Sequence, residues 1–459
     1  MLARVEKQLA GEPVLFIGVH SPKFPNERDE AMVREAVRRY GVTHPVVVDS
    51  GHRIWQEFGV RAWPTLVVID PFGYVLGDAP GEAEAEPLRE LLEKLLAMYR
   101  DQGAPLATEP LPVRPEPPAA GALAHPGKLL VAGERLYVAD TGHHQIVELS
   151  LAGTPARELR RFGAGAPGLL DGPAERALFS HPNGLALDAA AGVLWVADTG
   201  NHAVRRLALA TGQVTTEFGD GERGSLIPPG QVVTDRAVAL RSPWDLAWDP
   251  VRARLLVAMA GSHQLFVIDP AAPSLRVLAG SGREARLDGP PERAAFAQPS
   301  GLALSGDRLY VADSEISALR EVALDSGQVR TVAGGDLFDF GDVDGAADAV
   351  RLQHPMGIAA APADGRLFVA DSFNHKIKAF DPRARTVRTL YGSGQALRAN
   401  LAADAREPTL PEQAGPEQAL FWEPEGVSVA DGRLYVADTN NHRVVAIDLA
   451  SGRTALVVG

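Results

Sequence analysis

The chain has 459 residues, a net charge of −13 and no cysteine. The acidic balance disfavours a general binder of nucleic acid or anionic membranes, because both depend on clustered lysine and arginine. The lack of cysteine excludes disulfides, thiolate catalysis and cysteine-based metal centres within these residues. We see no membrane-spanning stretch and no signal-peptide cleavage site, so we expect a cytoplasmic protein without a membrane partner.

Residues 1–100 alternate helical and strand patterns, which is typical of an α/β sheet covered by helices. After an initial helical stretch, the predicted strands are 14–20, 44–49, 65–70 and 74–78, and the predicted helices are 26–40, 54–58 and 84–100. Residues 101–124 are rich in proline and have no apolar periodicity, so we expect an extended linker there.

Residues 125–459 repeat one short phrase six times. The copies are LYVADTGHH (136–144), LWVADTGNH (194–202), LLVAMAGSH (255–263), LYVADSEIS (309–317), LFVADSFNH (367–375) and LYVADTNNH (434–442). A Pro-x-Gly-type turn and a strand precede each phrase, and further strands follow it. A four-stranded unit cannot bury its faces alone but does so in a closed ring, so we predict an all-β six-bladed propeller.

The last repeat contains all four strands, which leaves two ways to close the ring. Either the ring closes by packing alone, or residues near 111–113 add an edge strand to a neighbouring blade.

The turn of the repeat phrase holds a polar set that we interpret as structural. The Asp ends a strand, where its carboxylate can accept N–H groups, and the Asn can take a left-handed turn position. One His per blade distributes the histidines around the ring, which argues against a catalytic cluster. The set comprises Asp140, His144, Asp198, Asn201, His202, Asp313, Asp371, Asn374, His375, Asp438, Asn441 and His442.

Two weaker patterns suggest metal binding. Asp339, Asp342 and Asp344 resemble part of a Ca²⁺ loop, but they lack the spacing and the distal Glu of an EF-hand, so we prefer a hydrogen-bonded loop. Histidines precede three of the six blade-opening turns and would line a metal site in a central channel, although a turn role is favoured (His125, His181 and His354). We therefore predict no resident metal or other cofactor.

The repeat run resembles the NHL repeat, best at 194–204, 367–377 and 434–444. The two halves together resemble the thioredoxin-type NHL repeat-containing proteins over nearly the whole chain. The most specific segments are IGVHSPKFPNE (17–27), RYGVTHPVVVD (39–49), WPTLVVIDPFG (63–73), DTGHH (140–144) and FDFGDVDGAADAVRLQHPMGI (338–358). The resemblance implies a thioredoxin-like domain at 1–100, a linker at 101–124 and an NHL propeller at 125–459.

The resemblance also implies a cis-proline loop at Trp63, Pro64 and Thr65. It further implies that the domain lacks its first strand and the Cys-x-x-Cys turn, and that this strand belongs between the strands at 14–20 and 65–70. Three explanations are open: a longer native protein, which we favour; a descendant in which those two strands pair directly; or another segment, such as the linker, that fills the slot.

These patterns predict a binding or scaffold protein that is non-catalytic as written. Its propeller would present a rim to a protein or peptide partner rather than to nucleic acid. Its thioredoxin-like domain would be redox-inactive, and active in thiol exchange only in a longer form. The alternative is a metal-dependent hydrolase or lyase in the propeller channel, which requires three or more converging His or carboxylate side chains.

Overall fold

The computed structural model describes the chain except for residues 1, 82, 108, 110–112, 118, 120, 154 and 399–409. The chain divides into two compact units, Met1–Pro118 and Ala119–Gly459. Within the part of the chain that is described, no helix is long and apolar enough to cross a membrane.

The first unit follows the predicted alternation of helices and strands. Its elements are α1 (Leu2–Gln8), β1 (Gly18–His20), α2 (Glu30–Arg39), β2 (Val46–Val48), α3 (Arg53–Glu57), β3 (Thr65–Ile69), β4 (Val75–Pro80) and α4 (Ala85–Asp101), with a 3-10 turn at Pro25–Arg28. The side chain of Asp29 caps α2 by accepting the N–H of Ala31 at 2.9 Å, which satisfies a helix-end donor. α1 packs on α4, and the few buried apolar residues lie mainly on the helices.

The strands of this unit form two separate pairs. β1 pairs in parallel with β2, and β3 pairs antiparallel with β4. The expectation of one sheet is therefore wrong. The explanation in which the strands at 14–20 and 65–70 pair directly is also wrong, since β1 and β3 lie in different sheets. The described residues of the linker add no strand. Among the described residues, no strand lies between β1 and β3 and no ladder of backbone hydrogen bonds joins the two pairs.

The second unit is a six-bladed propeller, as the repeat predicts. In each blade four consecutive antiparallel strands run outward from the axis. The strands of blades 1 to 3 are Pro126–Ala132, Arg135–Asp140, Gln145–Ser150 and Arg157–Phe162; Pro182–Asp188, Val193–Asp198, Ala203–Ala208 and Gln213–Phe218; Pro243–Asp249, Arg254–Met259, Gln264–Asp269 and Ser274–Ala279. Those of blades 4 to 6 are Pro299–Ser305, Arg308–Asp313, Ala318–Ala323 and Val329–Gly334; Pro355–Ala360, Leu367–Asp371, Lys376–Asp381 and Thr386–Tyr391; Val427–Ala430, Arg433–Asp438, Arg443–Asp448 and Thr454–Val458. Blades 3 and 5 add a short fifth strand, Val232–Val233 and Gly345–Ala346.

Within the described residues, the ring closes by packing of complete blades, one of the two closures that the sequence leaves open. Blade 6 takes all its strands from the C-terminal repeat, and Tyr435 and Val444 share an apolar cluster with Leu129 and Val138 of blade 1. A backbone bond of 3.0 Å from Ala156 N–H to the Val457 carbonyl adds to this junction. Residues 111 and 112, which belong to the alternative closure, lie outside the described residues.

Candidate functional site

The Asp of the repeat phrase is fully buried and fastens the segment that enters its own blade. Its Oδ1 accepts a backbone N–H from a residue before the innermost strand, at 2.7 Å in each of five blades. These bonds join Ala124 to Asp140, Ser180 to Asp198, Ala297 to Asp313, Gln353 to Asp371 and Trp422 to Asp438. The carboxylate therefore links the second strand of each blade to the start of the first.

The other oxygen of each Asp, Oδ2, faces a cation. The N–O distances are 2.7 Å for Arg161–Asp140, 2.7 Å for Arg205–Asp198, 2.8 Å for Arg320–Asp313, 3.5 Å for Lys378–Asp371 and 2.7 Å for Arg443–Asp438. Burial raises the pKa of Asp198 to about 6, against the opposing effect of Arg205. The sequence analysis did not identify these cations. A signal was present, because in three repeats an arginine or lysine stands seven residues after the Asp.

Three of these cations also hold the insertions between blades. Arg205 contacts Asp171 at 2.9 Å, and Arg320 contacts Asp288 at 3.0 Å. Both aspartates belong to the Asp-Gly-Pro turns of the insertions, and each accepts the N–H and the hydroxyl of a threonine on the outermost strand (Thr216 and Thr331). Each cation therefore connects an insertion to the centre of its blade.

Two aspartates of the suggested Ca²⁺ loop, Asp342 and Asp344, serve the same purpose in blade 5, whereas Asp339 pairs with an arginine of the same insertion. Asp339 contacts Arg351 at 2.5 Å, and Asp342 contacts Lys378 at 2.7 Å. Asp344 lies 3.0 Å from Lys378 and accepts the Thr389 N–H at 2.6 Å. The structure thus surrounds these carboxylates with cations of the chain itself.

The turn histidines form hydrogen bonds between neighbouring blades. In each case Nδ1 accepts the backbone N–H of the residue that precedes the first strand of the next blade. The bonds are His181 to His144 (3.1 Å), Ser242 to His202 (3.1 Å), Gln298 to His263 (3.1 Å), Glu423 to His375 (3.2 Å) and His125 to His442 (3.0 Å). In blade 4 the Ser317 hydroxyl takes the place of the imidazole and accepts from His354 at 3.2 Å. These six contacts, which we call the latch, run around the ring.

The conformation assigned to the Asn of the repeat is wrong. The left-handed residue is the following His, with φ of 50° at His202, whereas Asn201 ends a 3-10 turn. The Asn201 amide donates to Asp198 at 2.8 Å and to the Gly168 carbonyl of the insertion at 2.7 Å. Asn374 and Asn441 make the same pair of bonds in blades 5 and 6. The amide is therefore retained for its two donors rather than for its backbone freedom.

A second bond accompanies the latch at five of the six junctions. The hydroxyl that follows the Asp donates to the Pro carbonyl at the start of the next blade. The bonds run from Thr141 to Pro182, Thr199 to Pro243, Ser314 to Pro355, Ser372 to Pro424 and Thr439 to Pro126, at 2.6 to 2.8 Å. Blade 3 has Ala260 at this position and Met259 in place of the Asp, and Met259 packs in one apolar cluster with Phe266.

The structure does not bring together the three histidines of the suggested channel site. His125 packs edge-to-face on His442 with ring centroids 4.4 Å apart, and His181 packs on His144 at 4.5 Å. His354 stacks on Phe373. Among the described residues that line the channel, Asp245 is the only His or carboxylate side chain. The cluster that a metal-dependent hydrolase or lyase requires is thus not assembled in the described channel.

The Trp63–Pro64 peptide bond is cis, and the loop lies at the start of β3. The indole Nε1 of Trp63 donates to the Ser21 carbonyl, just after β1, at 2.8 Å, and the ring packs 4.2 Å from that of Trp55. The Thr65 hydroxyl donates to the Ala62 carbonyl at 2.7 Å. The loop is therefore the point where the two strand pairs of the first unit approach each other.

The NHL repeat family model matches residues 179–207 and 421–447, in blades 2 and 6. The propeller carries NHL repeats. The chain is 37% identical over 471 residues to Protein SUPPRESSOR OF QUENCHING 1, chloroplastic, of Arabidopsis thaliana, and 37% identical over 478 residues to NHL repeat-containing protein 2 of Gallus gallus. These matches cover 99% and 95% of the chain, but only 43% and 62% of the two relatives.

A shorter similarity links the chain to the thiol-disulfide oxidoreductase ResA of Bacillus thuringiensis, with 32% identity over 78 residues, 17% of this chain and 45% of that protein. Among solved structures, the nidogen/laminin complex covers 68% of this chain and 90% of the matched chain, with a TM-score of 0.45 and 17% identity. That structural likeness is too low to carry an argument.

Proposed function

We propose that the propeller is a binding platform for a protein or peptide, and that the chain of 459 residues is not an enzyme. The blades provide a rigid scaffold, and loops on rigid scaffolds are where binding residues concentrate. The supporting observation is the surface of the insertions. Leu170, Leu287 and Val343 precede the aspartates that anchor three of them, and these side chains are 46%, 42% and 47% exposed.

The position of these residues favours recognition of a polypeptide. In a propeller, every connection from an outermost strand to the next innermost strand emerges on the same face, so the three insertions share one rim. Each apolar side chain is carried by a turn that a buried cation fixes in place. Exposed apolar side chains that are held rigidly and surrounded by polar groups are typical of protein-binding surfaces.

A peptide-display selection against the full chain tests this proposal. Peptides that bind the wild type should lose at least about tenfold in affinity, or 1.4 kcal/mol, for the triple variant Leu170→Ser, Leu287→Ser and Val343→Ser. The matched control is Val251→Ser. Val251 is 85% exposed in the hairpin of blade 3, on the opposite rim. If the peptides bind the triple variant as tightly as the wild type, these three residues of the rim do not form the binding surface.

We further infer that residues 1–100 are a thioredoxin-like domain. Three observations support this: the order of helices and strands, the cis Trp63–Pro64 bond that opens β3, and the 78-residue similarity to ResA. With no cysteine, these 459 residues have no thiol for dithiol exchange. A redox role would therefore belong to a longer form of the protein, and a cytoplasmic location stays a prediction from the sequence.

The intact mass of the protein from its native source, with and without a thiol-alkylating reagent, tests the redox role. A heavier protein that takes up two alkyl groups after reduction supports it. A protein of 48.7 kDa that takes up none contradicts it and leaves the platform.

A further inference from the structure

The axis of the propeller has a second feature, which does not depend on the platform. Each blade opens with a turn in which Pro is followed by a variable residue and then by a third position. That position is Gly in blades 2, 4, 5 and 6, where an added Cβ would lie 1.8 to 2.7 Å from the backbone of the next blade (Gly184, Gly301, Gly357 and Gly426). In blades 1 and 3 the third residue is instead charged: Lys128 and Asp245.

Both charges are withdrawn from solvent. Lys128 is 5% exposed and Asp245 is 6% exposed. The Lys128 ammonium donates to the Met356 carbonyl, so the side chain reaches from blade 1 past blade 6 to blade 5. The Asp245 oxygens accept the N–H groups of Leu246 and Leu302, at 2.9 and 2.8 Å. Burial raises the pKa of Asp245 to about 6, and the ammonium of Lys128 opposes this rise.

This pair forms the charged end of a cavity of about 370 Å³ that follows the innermost strands of all six blades. From Lys128 and Asp245 the wall continues along the innermost strands past Leu130, Leu304, Trp248 and Val429. These four side chains pack against the apolar clusters of the blades, and most of the surface that faces the cavity is polar. Lys128 and Asp245 are the only charged residues in the described lining. Buried charged groups that converge on a cavity mark a candidate site for a small polar molecule.

The signs of the two charges select the ligand. An isolated cation would be repelled by Lys128, and an isolated anion would be repelled by Asp245. A neutral apolar molecule would offer neither group a hydrogen-bond partner, so it would gain nothing from the two charges. A zwitterion places its carboxylate near the ammonium and its ammonium near the carboxylate, so no net charge enters the channel. We propose that the channel binds a free α-amino acid, its charged groups at Lys128 and Asp245.

Three probes of matched apolar length test this site by isothermal titration calorimetry of the full chain at pH 7.5. They are norleucine, hexanoate and hexylamine, which present the zwitterion, the anion alone and the cation alone. We expect norleucine to bind at least about tenfold more tightly than either of the others. No heat from norleucine at 10 mM, about tenfold above a millimolar Kd, would overturn the proposal. Equal binding of hexanoate or hexylamine would also overturn it.

The decisive variant is the double substitution Lys128→Gly and Asp245→Gly. It gives blades 1 and 3 the residue that the other four blades carry, so the ring should fold, which thermal melting checks. Norleucine binding should fall at least about tenfold. Arg252→Gly with Asp307→Gly is the control, because it removes an ion pair of 2.9 Å between the hairpins of blades 3 and 4. A folded double variant that binds norleucine like the wild type would show that the charge pair only plugs the channel. If peptide binding at the rim fails while norleucine binds, the platform falls and this site stands.

Discussion

The two units differ in how completely their strands are covered. None of the residues in β1 to β4 is buried, and all six residues of β4 are exposed. In the propeller the second strand of blade 2, Val193–Asp198, is buried at every position, and the equivalent strands are similar. An isolated strand pair is marginally stable in water, whereas stacked blades cover both faces of each sheet. Stacking of repeated blades thus buries the strands of the propeller, whereas in the first unit, as described, the buried apolar residues lie mainly on the helices.

The propeller also repeats its polar contacts, and blade 3 shows which of them can be replaced. There the buried Asp and its cation give way to Met259 and Phe266, while the His263 latch remains. Replacing a buried ion pair by well-packed apolar residues is often neutral, but removing one partner leaves an uncompensated charge. We therefore expect the ring to tolerate replacement of both the Asp and its cation by apolar residues more readily than the removal of one of them.

The largest expected effect breaks the propeller while leaving the first unit intact. Arg205→Met removes the partner of Asp198, and we expect the free energy of unfolding of the propeller to fall by about 3–5 kcal/mol. Asp198→Met with Arg205→Phe copies blade 3 and should recover at least half of that loss. Urea denaturation followed by tryptophan fluorescence measures both variants. A double variant no more stable than Arg205→Met would contradict the equivalence of the blades.

The next effect isolates the first unit. Leu96 is 8% exposed in α4, and Leu96→Ala should destabilise that unit by about 2–4 kcal/mol through the cavity it leaves. Hydrogen exchange should then rise across residues 2–101 and stay unchanged in the blades. Leu149→Ala in blade 1 is the matched control and should act on the propeller alone. Faster exchange in both units after Leu96→Ala would mean that they unfold together.

Because of the latch histidine His144, we expect the free energy of unfolding of the propeller to decrease as the pH falls. Burial and the neighbouring His181 lower the pKa of His144 to about 4, from 6.5 in the unfolded chain. Between these values the unfolded state binds a proton that the native state does not, so stability is lost as the pH falls from 6.5 toward 4, by up to about 3 kcal/mol. His144→Ser, which copies Ser317, keeps an acceptor that does not titrate. Urea midpoints from pH 7 to 4 should fall more steeply for the wild type, and parallel curves would refute the link to His144.

The smallest effect strengthens one junction. Blade 3 lacks the hydroxyl that joins each other blade to the next, because Ala260 stands in its place. Ala260→Thr should restore the bond to the Pro299 carbonyl and stabilise the propeller by about 0.5–1.5 kcal/mol. Thr439→Val is the reciprocal change at the junction of blades 6 and 1 and should cost a similar amount. Thermal melting detects both, and a destabilised Ala260→Thr would show that this junction has no room for the side chain.

The sequence predicts the number of blades and most element positions because periodic burial leaves a local pattern. It does not reveal the bonds between blades, since the partners of Thr199 and His202 lie 44 and 40 residues further along the chain. The separation of the first unit into two strand pairs is also a tertiary fact that local patterns cannot supply. The two charges at the axis could have been predicted from the sequence. Alignment of the six blade-opening segments places Lys128 and Asp245 against four glycines: HPGKL, HPNGL, SPWDL, QPSGL, HPMGI and EPEGV.

Each blade of the propeller is built from one segment of chain, and among the strands that the structure describes none is shared across the junction of blades 6 and 1. The order of blades around the ring is consequently independent of where the polypeptide is opened. A circularly permuted propeller, with blade 6 joined to blade 1 by a short linker and new termini placed in the insertion between blades 3 and 4, would keep every strand pairing of the original.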